Sequence, residues 1–166
     1  MNRYLERMQQ KIISDNESLG RILSRIRFKE EKIVFTNGCF DLLHRGHVEL
    51  LAKAASLGNV LIVGLNTDNS IKRLKGNHRP LNDQQSRALM LAALSVVNYI
   101  VFFDEDTPEN IIRFIKPDVL VKGSDYKIEE IVGHDIVPQY GGKVQTIELT
   151  RGYSTSEILR KIKEMS

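Results

Sequence analysis

The stretch Lys32–Leu51, KIVFTNGCFDLLHRGHVELL, decides how the rest of the chain is read. Ile33-Val34-Phe35 is an apolar, largely β-branched run of the kind that fills a buried strand. Thr36-Asn37-Gly38 interrupts it, and from Val48 through Leu50, Leu51 and Ala54 the apolar residues recur at helical spacing. The order is therefore strand, tight loop, helix. His44 and His47 fall where that helix should begin, with Gly46 between them. Their spacing sets both imidazoles on one helical face, and the first N–H groups of a helix have no intrahelical acceptor. Such a place attracts an anion, phosphate above all.

The same residues also admit two other readings. A histidine at a helix start often caps or packs, and His44, His47 and Cys39 are all zinc-ligand types. Zinc is disfavoured by cysteine arithmetic, because the chain has one cysteine, and His78 and His134 stand in unrelated contexts.

Composition bounds the remainder. With 166 residues, 42% of them hydrophobic and 27% charged, the chain suits one compact domain with a full core. A lone cysteine excludes an internal disulfide framework and agrees with a reducing compartment. No leader-like N-terminus and no apolar run of bilayer length is present, so a soluble cytoplasmic protein without a membrane partner is expected. A net charge of +3 is too small to argue for nucleic acid as a partner. The charge is local instead: Lys72, Arg73, Lys75 and Arg79 face only Asp68 between Asn66 and Pro80, a basic loop suited to a small polyanion.

In chain order, residues 1–31 read as an N-terminal helical extension. Tyr4, Leu5, Met8 and Ile12 form one amphipathic set and Leu19, Ile22, Leu23 and Ile26 another, with Asp15 to Ser18 as break and cap. Residues 32–166 form the main domain. Val60–Leu65 is a second buried strand; Asn82 and Gln85 are spaced as a capping box for the next helix. Tyr99–Phe103 is a third strand, and Thr107-Pro108 opens a helix as cap and first residue. Asp118–Val121 is a fourth strand, Lys143–Ile147 a fifth, and Ser154 with Glu157 is a capping box for the last helix. Alternation of strands and helices predicts a Rossmann-like three-layer α/β/α sandwich with a five-stranded parallel sheet. Ligands of such sheets bind beyond the carboxyl ends of the strands, which gathers His44, His47 and the basic loop on one rim. The Gly-x-Gly-x-x-Gly fingerprint is missing after the first strand and no Walker lysine motif occurs, which argues against dinucleotide hydride transfer and P-loop chemistry.

The decamer Gly38–His47, GCFDLLHRGH, resembles the signature of nucleotidyltransferases with a His-x-Gly-His motif, the cytidylyltransferase-like superfamily. Within it, the segments TNGCFD, NTDNSIKRLKG, RPLN, DTPENII, KPDVLVKGSDY and YSTSEI are similar to the adenylyltransferase family of ADP-heptose synthesis, over about Glu31 to the C-terminus. The resemblance implies transfer of AMP from ATP to D-glycero-β-D-manno-heptose 1-phosphate, with pyrophosphate released. It implies His44, His47 and a loop lysine as the catalytic groups; Lys72 is preferred over Lys75, which is then a nucleotide contact. Asn37, Gly38, Cys39, Phe40 and Gly46 are implied around the nucleotide, as are Gly123 and Asp125 in a turn that helps hold the base. Ser124 departs from that turn's usual sequence. Arg151, Ser154, Thr155 and Ser156 correspond to a closing phosphate-binding motif in which Arg151 is displaced. Asp41, Arg79 and Arg87 are expected near the second substrate. Mg²⁺ is expected with ATP, held mainly by the phosphates rather than by a protein cage. A homo-oligomer is compatible with this reading. Its alternatives are a cytidylyltransferase for glycerol phosphate or a similar small phosphate, and a non-catalytic nucleotide- or RNA-binding module.

Overall fold

A computed structural model describes residues 2–150 and 152–165. Helix α1 (Arg3–Gln9) leads into a two-residue strand β1 (Ile12–Ile13) and helix α2 (Asn16–Phe28). The signature follows as β2 (Ile33–Gly38) and α3 (Arg45–Ala55), then β3 (Val60–Asn66), α4 (Asp68–Lys75) and α5 (Gln84–Ala93). The chain continues through β4 (Tyr99–Phe103), α6 (Glu109–Ile115) and β5 (Val119–Gly123). Two short 3-10 turns, Ile128–Glu130 and Val137–Tyr140, precede β6 (Lys143–Ile147) and α7 (Thr155–Glu164).

Every pairing in the sheet is parallel, in the order β1-β4-β3-β2-β5-β6. The Rossmann-like α/β fold is as expected, with six strands among the described residues rather than five. The additional strand is β1, where Ile12 pairs with Ile100 and Ile13 with Val101 at the sheet edge. Ile12 reads in sequence as the last apolar position of the first helix, but that helix stops at Gln9. Two residues are too few to display a strand period, so only the partner strand reveals them.

Period-two alternation along the central strands splits the core between two faces. Ile33, Phe35, Val60 and Ile62 point into one layer with Leu19, Leu23 and Ile26 of α2 and Ile111, Ile112 and Ile115 of α6. Val34, Leu61, Val63 and Leu65 point into the other with Leu51 and Ala54 of α3 and Ala88, Leu91 and Ala92 of α5. Thus α2 packs into the same core as the signature strand, and β1 joins its sheet.

Several local expectations change. The basic segment after β3 is helical as far as Lys75, since Thr67 caps it by accepting from Ser70 N (3.2 Å) and Ile71 is buried against the sheet. The cap of α5 is Asp83, which accepts from Gln85 N (3.0 Å) and Ser86 N (2.9 Å), so Asn82 and Gln85 form no box. Pro108 itself occupies the cap position of α6, one residue later than sequence placed it. At α7 Ser154 accepts from Glu157 N (3.1 Å), but the Glu157 side chain turns to Arg160 (2.6 Å) instead of completing a box. Asp15 caps α2 as expected, accepting from Ser18 N at 2.7 Å.

From β2 the connections run outward through β3 and β4, and after α6 the chain returns to lay β5 on the other side of β2. The crevice between β2 and β5 is therefore the switch point of the sheet, where open α/β folds bind ligands.

Candidate active site

A cavity of about 530 Å³ opens at the carboxyl ends of β2 and β5. One wall is the signature itself. Phe40 takes a left-handed backbone (φ 44°), folds its ring back into the core and stacks obliquely on His47, with centroids 5.0 Å apart. Gly38 lies beneath that ring, where a Cβ would come within 3.1 Å of it. His44 is the cap residue of α3 and offers no side-chain cap bond, which leaves its imidazole stacked on His47 at 3.7 Å between centroids. Gly46 permits the approach of the last helix, since a Cβ there would meet Tyr153 O at 3.0 Å and the His44 ring at 3.2 Å.

The two imidazoles are neutral bases at pH 7. Burial, then the positive charges available on His44 and Lys75, push His47 down to about 4, and burial lowers His44 in the same direction. Each neutral ring carries one N–H donor and one acceptor. Nδ1 of His44 and Asn37 Oδ1 are buried without a hydrogen-bond partner among the described residues, while at His47 a backbone hydrogen bond at Leu42 works against the lowering. A buried polar atom left unpaired costs about 1–3 kcal/mol, so the packing that stacks the histidines beside the cavity is held at a polar cost.

The opposite wall comes from distant segments. Ser154 and Thr155 reach the cavity because the C-terminal segment is tied to α3: Arg45 donates to Tyr153 Oη (3.2 Å) and lies over its ring, Thr150 bonds Glu49, and Lys53 donates to Glu148 O (3.0 Å). Gly123, Asp125 and Tyr126 line the end beyond β5. A Cβ on Gly123 would stand 2.5 Å from Asp125 Oδ1 and 2.8 Å from the Leu149 side chain, so any larger residue must displace both from the turn.

Of the residues anticipated from sequence, His44, His47, Asn37, Gly38, Cys39, Phe40, Gly46, Lys75, Gly123, Asp125, Ser154 and Thr155 come together around this cavity. Ser156 is exposed and off the wall, and Arg151 lies outside the described residues. Lys72, preferred from sequence, is also off the wall, whereas Lys75 lines the cavity and its charge acts on His47. Ile71 is the buried anchor of α4, and positions three and four further on, Leu74 and Lys75, share its side of the helix while Lys72 is turned away by one residue.

Asp41, Arg79 and Arg87 are not on the wall either; they bind each other's loops. Asp41 is 3% exposed and accepts from Arg79 (2.7 Å), Leu81 N (2.7 Å) and Asn82 N (3.1 Å). Arg87 is fully buried and spends its guanidinium on Asn82 O (3.0 Å), Cys39 O (2.7 Å) and Asp68 (2.7 Å). These contacts lock the signature loop to the segment before α5. Sequence reasoning passed over Asn66, Asp106, Lys122 and Tyr126, all of which line the cavity. Lys122 was legible in principle, as a cation at the carboxyl end of an otherwise apolar strand.

The sequence model of the cytidylyltransferase-like family matches residues 35–161. The bifunctional protein HldE of Campylobacter jejuni subsp. doylei is 53% identical over 148 residues, 89% of this chain and 31% of its own length. That of Helicobacter pylori is 51% identical over 145 residues, 87% of this chain and 30% of its own length. The chain thus spans about a third of the curated relatives it matches. Among solved structures, the lipopolysaccharide core biosynthesis protein from Thermoplasma volcanium superposes with a TM-score of 0.60 at 28% identity, covering 75% of this chain and 99% of that one. Pantoate-beta-alanine ligase from Francisella tularensis, complexed with beta-gamma ATP and beta-alanine, gives 0.61 at 18% identity over 92% of this chain and 77% of its own, a likeness of fold alone.

Proposed function

Since the chain belongs to the cytidylyltransferase-like family, we propose that it transfers AMP from ATP to D-glycero-β-D-manno-heptose 1-phosphate, releasing pyrophosphate and forming ADP-heptose. The observation that carries the chemistry is the stacked, neutral His44–His47 pair on the wall of a cavity at the sheet's switch point. The acceptor is argued from the motif resemblance, from similarity to HldE proteins and from similarity to a lipopolysaccharide core biosynthesis protein.

In this reading a phosphate oxygen of the acceptor attacks the α-phosphorus of ATP, a new P–O bond forms, and the α–β bridge breaks with its electron pair leaving on pyrophosphate. The imidazole N–H groups of His44 and His47 donate to the oxygens on which charge grows, and Lys75 supports the departing phosphates. A phosphate dianion is already a competent nucleophile, so no covalent enzyme intermediate is needed and Cys39→Ser keeps substantial activity. The carboxylates on the wall among the described residues are Asp106 and Asp125, and Asp106 is paired with Arg73 at 2.9 Å. No group of three or more ligand-type side chains is assembled among the described residues. This donor set fits Mg²⁺ carried on the nucleotide's own oxygens, with Asp125 as the available protein ligand, and the ion would offset triphosphate charge.

Pyrophosphate release measured with ATP and with CTP across a panel of sugar and polyol phosphates tests the proposal. ATP with heptose 1-phosphate should give ADP-heptose. Preference for CTP with glycerol phosphate would replace it with the cytidylyltransferase reading, and binding of nucleotide without any turnover would indicate a non-catalytic module.

A further inference from the structure

Among the described residues two lysines line the cavity, Lys75 from the end of α4 and Lys122 from β5. Lys75 is close enough to His47 to depress its protonation, whereas Lys122 is not among the groups that shift either imidazole. Lys122 projects from β5 into the switch-point crevice and donates from Nζ to the carbonyl of Asn37 on β2, at 3.0 Å. Cys39 and Asp125 are the titratable groups whose fields favour its charge, and the Tyr126 ring lies 5.7 Å away. No carboxylate comes within ion-pair distance of it among the described residues. Burial brings the amine down to about 8, so it is largely protonated at neutral pH.

An ammonium has three donors, and the Asn37 carbonyl takes one. Lys122 is half-buried, and a partly desolvated cation with no ion-pair partner among the described residues is favoured when an anion enters beside it. The transfer itself supplies a reason for one. Both reactants are anionic at the point of contact, and an in-line displacement places attacker and leaving group on opposite sides of the α-phosphorus. With Lys75 beside the histidines that serve the leaving side, Lys122 is the other cation among the described residues that is placed to meet the attacker.

We propose that Lys122 binds the phosphate group of the acceptor, using the two N–H donors that Asn37 leaves unused, and so holds the attacking oxygen at the end of the cavity away from Lys75. This rests on the nucleotidyl-transfer step of the proposed function but not on the identity of the sugar. Lys122 keeps its proton throughout; its positive charge offsets the repulsion between the incoming phosphomonoester and the α-phosphoryl oxygens. The link to Asn37 makes the site rigid, since it joins the ends of β2 and β5 across the crevice.

Lys122→Met, neutral and of similar volume, and Lys122→Arg are compared with the wild-type chain after thermal denaturation has shown each to be folded. Acceptor KM, kcat and the Kd for ATP are measured separately. Loss of a charged hydrogen bond predicts an acceptor KM raised by about 10- to 100-fold in Lys122→Met, with ATP affinity within about twofold and partial recovery in Lys122→Arg. An unchanged acceptor KM, or a weakened ATP Kd in its place, overturns the assignment. If a phosphate other than the heptose compound proves to be the acceptor, the same comparison is made with it, and the sugar assignment fails while Lys122 is still judged. If no acceptor is turned over at all, inorganic phosphate is titrated into the protein with a non-hydrolysable ATP analogue; equal affinity in wild type and Lys122→Met then refutes the inference by itself.

Discussion

Replacing Asp41 should damage the protein's stability rather than its affinity for the second substrate. Its carboxylate is 3% exposed and receives three hydrogen bonds: Arg79 at 2.7 Å, Leu81 N at 2.7 Å and Asn82 N at 3.1 Å. The Arg79 side chain is itself only 18% exposed. Asp41→Ala strands two backbone donors and a largely buried guanidinium, and breaking a buried ion pair from one side costs about 3–5 kcal/mol. For a domain of this size each kcal/mol lowers Tm by about 2–4 °C, so a drop on the order of 10 °C is expected in thermal denaturation. Asp41→Asn retains one acceptor oxygen and should lose roughly 1–3 kcal/mol. At a temperature where both variants are folded, acceptor KM should stay near the wild-type value. A Tm within about 2 °C of wild type together with a large rise in acceptor KM would refute the structural assignment and restore Asp41 to the substrate.

Lys75→Ala should lower kcat by about 10- to 100-fold, less than the loss of a fully buried donor because Lys75 is exposed, while Lys72→Ala stays within about threefold; the reverse order in steady-state kinetics would contradict the placement of α4. His47 has an ordinary value of 6.5 and about 4 when folded, so as pH falls from 6.5 to 4 the unfolded chain takes up a proton that the native state refuses. Stability present above pH 6.5 is then lost by about 3 kcal/mol toward pH 4, and urea denaturation across that range should show a flatter profile for His47→Gln than for wild type. Gly46→Ala places a Cβ 3.0 Å from Tyr153 O and 3.2 Å from the His44 ring, and a displacement of either should cost about tenfold in kcat with the fold retained; wild-type turnover would show that the helix start has more room than its contacts indicate.

Sequence by itself determined the elements and the chemistry at one end of the site. Ile33-Val34-Phe35, the break at Gly38 and the apolar spacing after His47 specify strand, loop and helix locally, because side-chain period and turn chemistry act within a few residues. The same locality made the histidine pair legible: residues three apart at a helix start share a face whatever surrounds them. Only the tertiary structure decided partners. Asp41 meets Arg79 and Arg87 meets Cys39 across long stretches of chain, and nothing in their local spacing distinguishes a residue that touches substrate from one that ties two loops. The two-residue strand at Ile12–Ile13 exists because β4 has an unpaired edge, and Lys75 rather than Lys72 faces the cavity because Ile71 is the residue that the sheet buries. Lys122 gains its meaning from Asn37, a residue 85 positions away in sequence, brought adjacent when β5 crosses back to pair with β2. Burial and strand order are properties of the packed sheet, and it is packing that turns an ordinary lysine into a half-buried cation on the cavity wall.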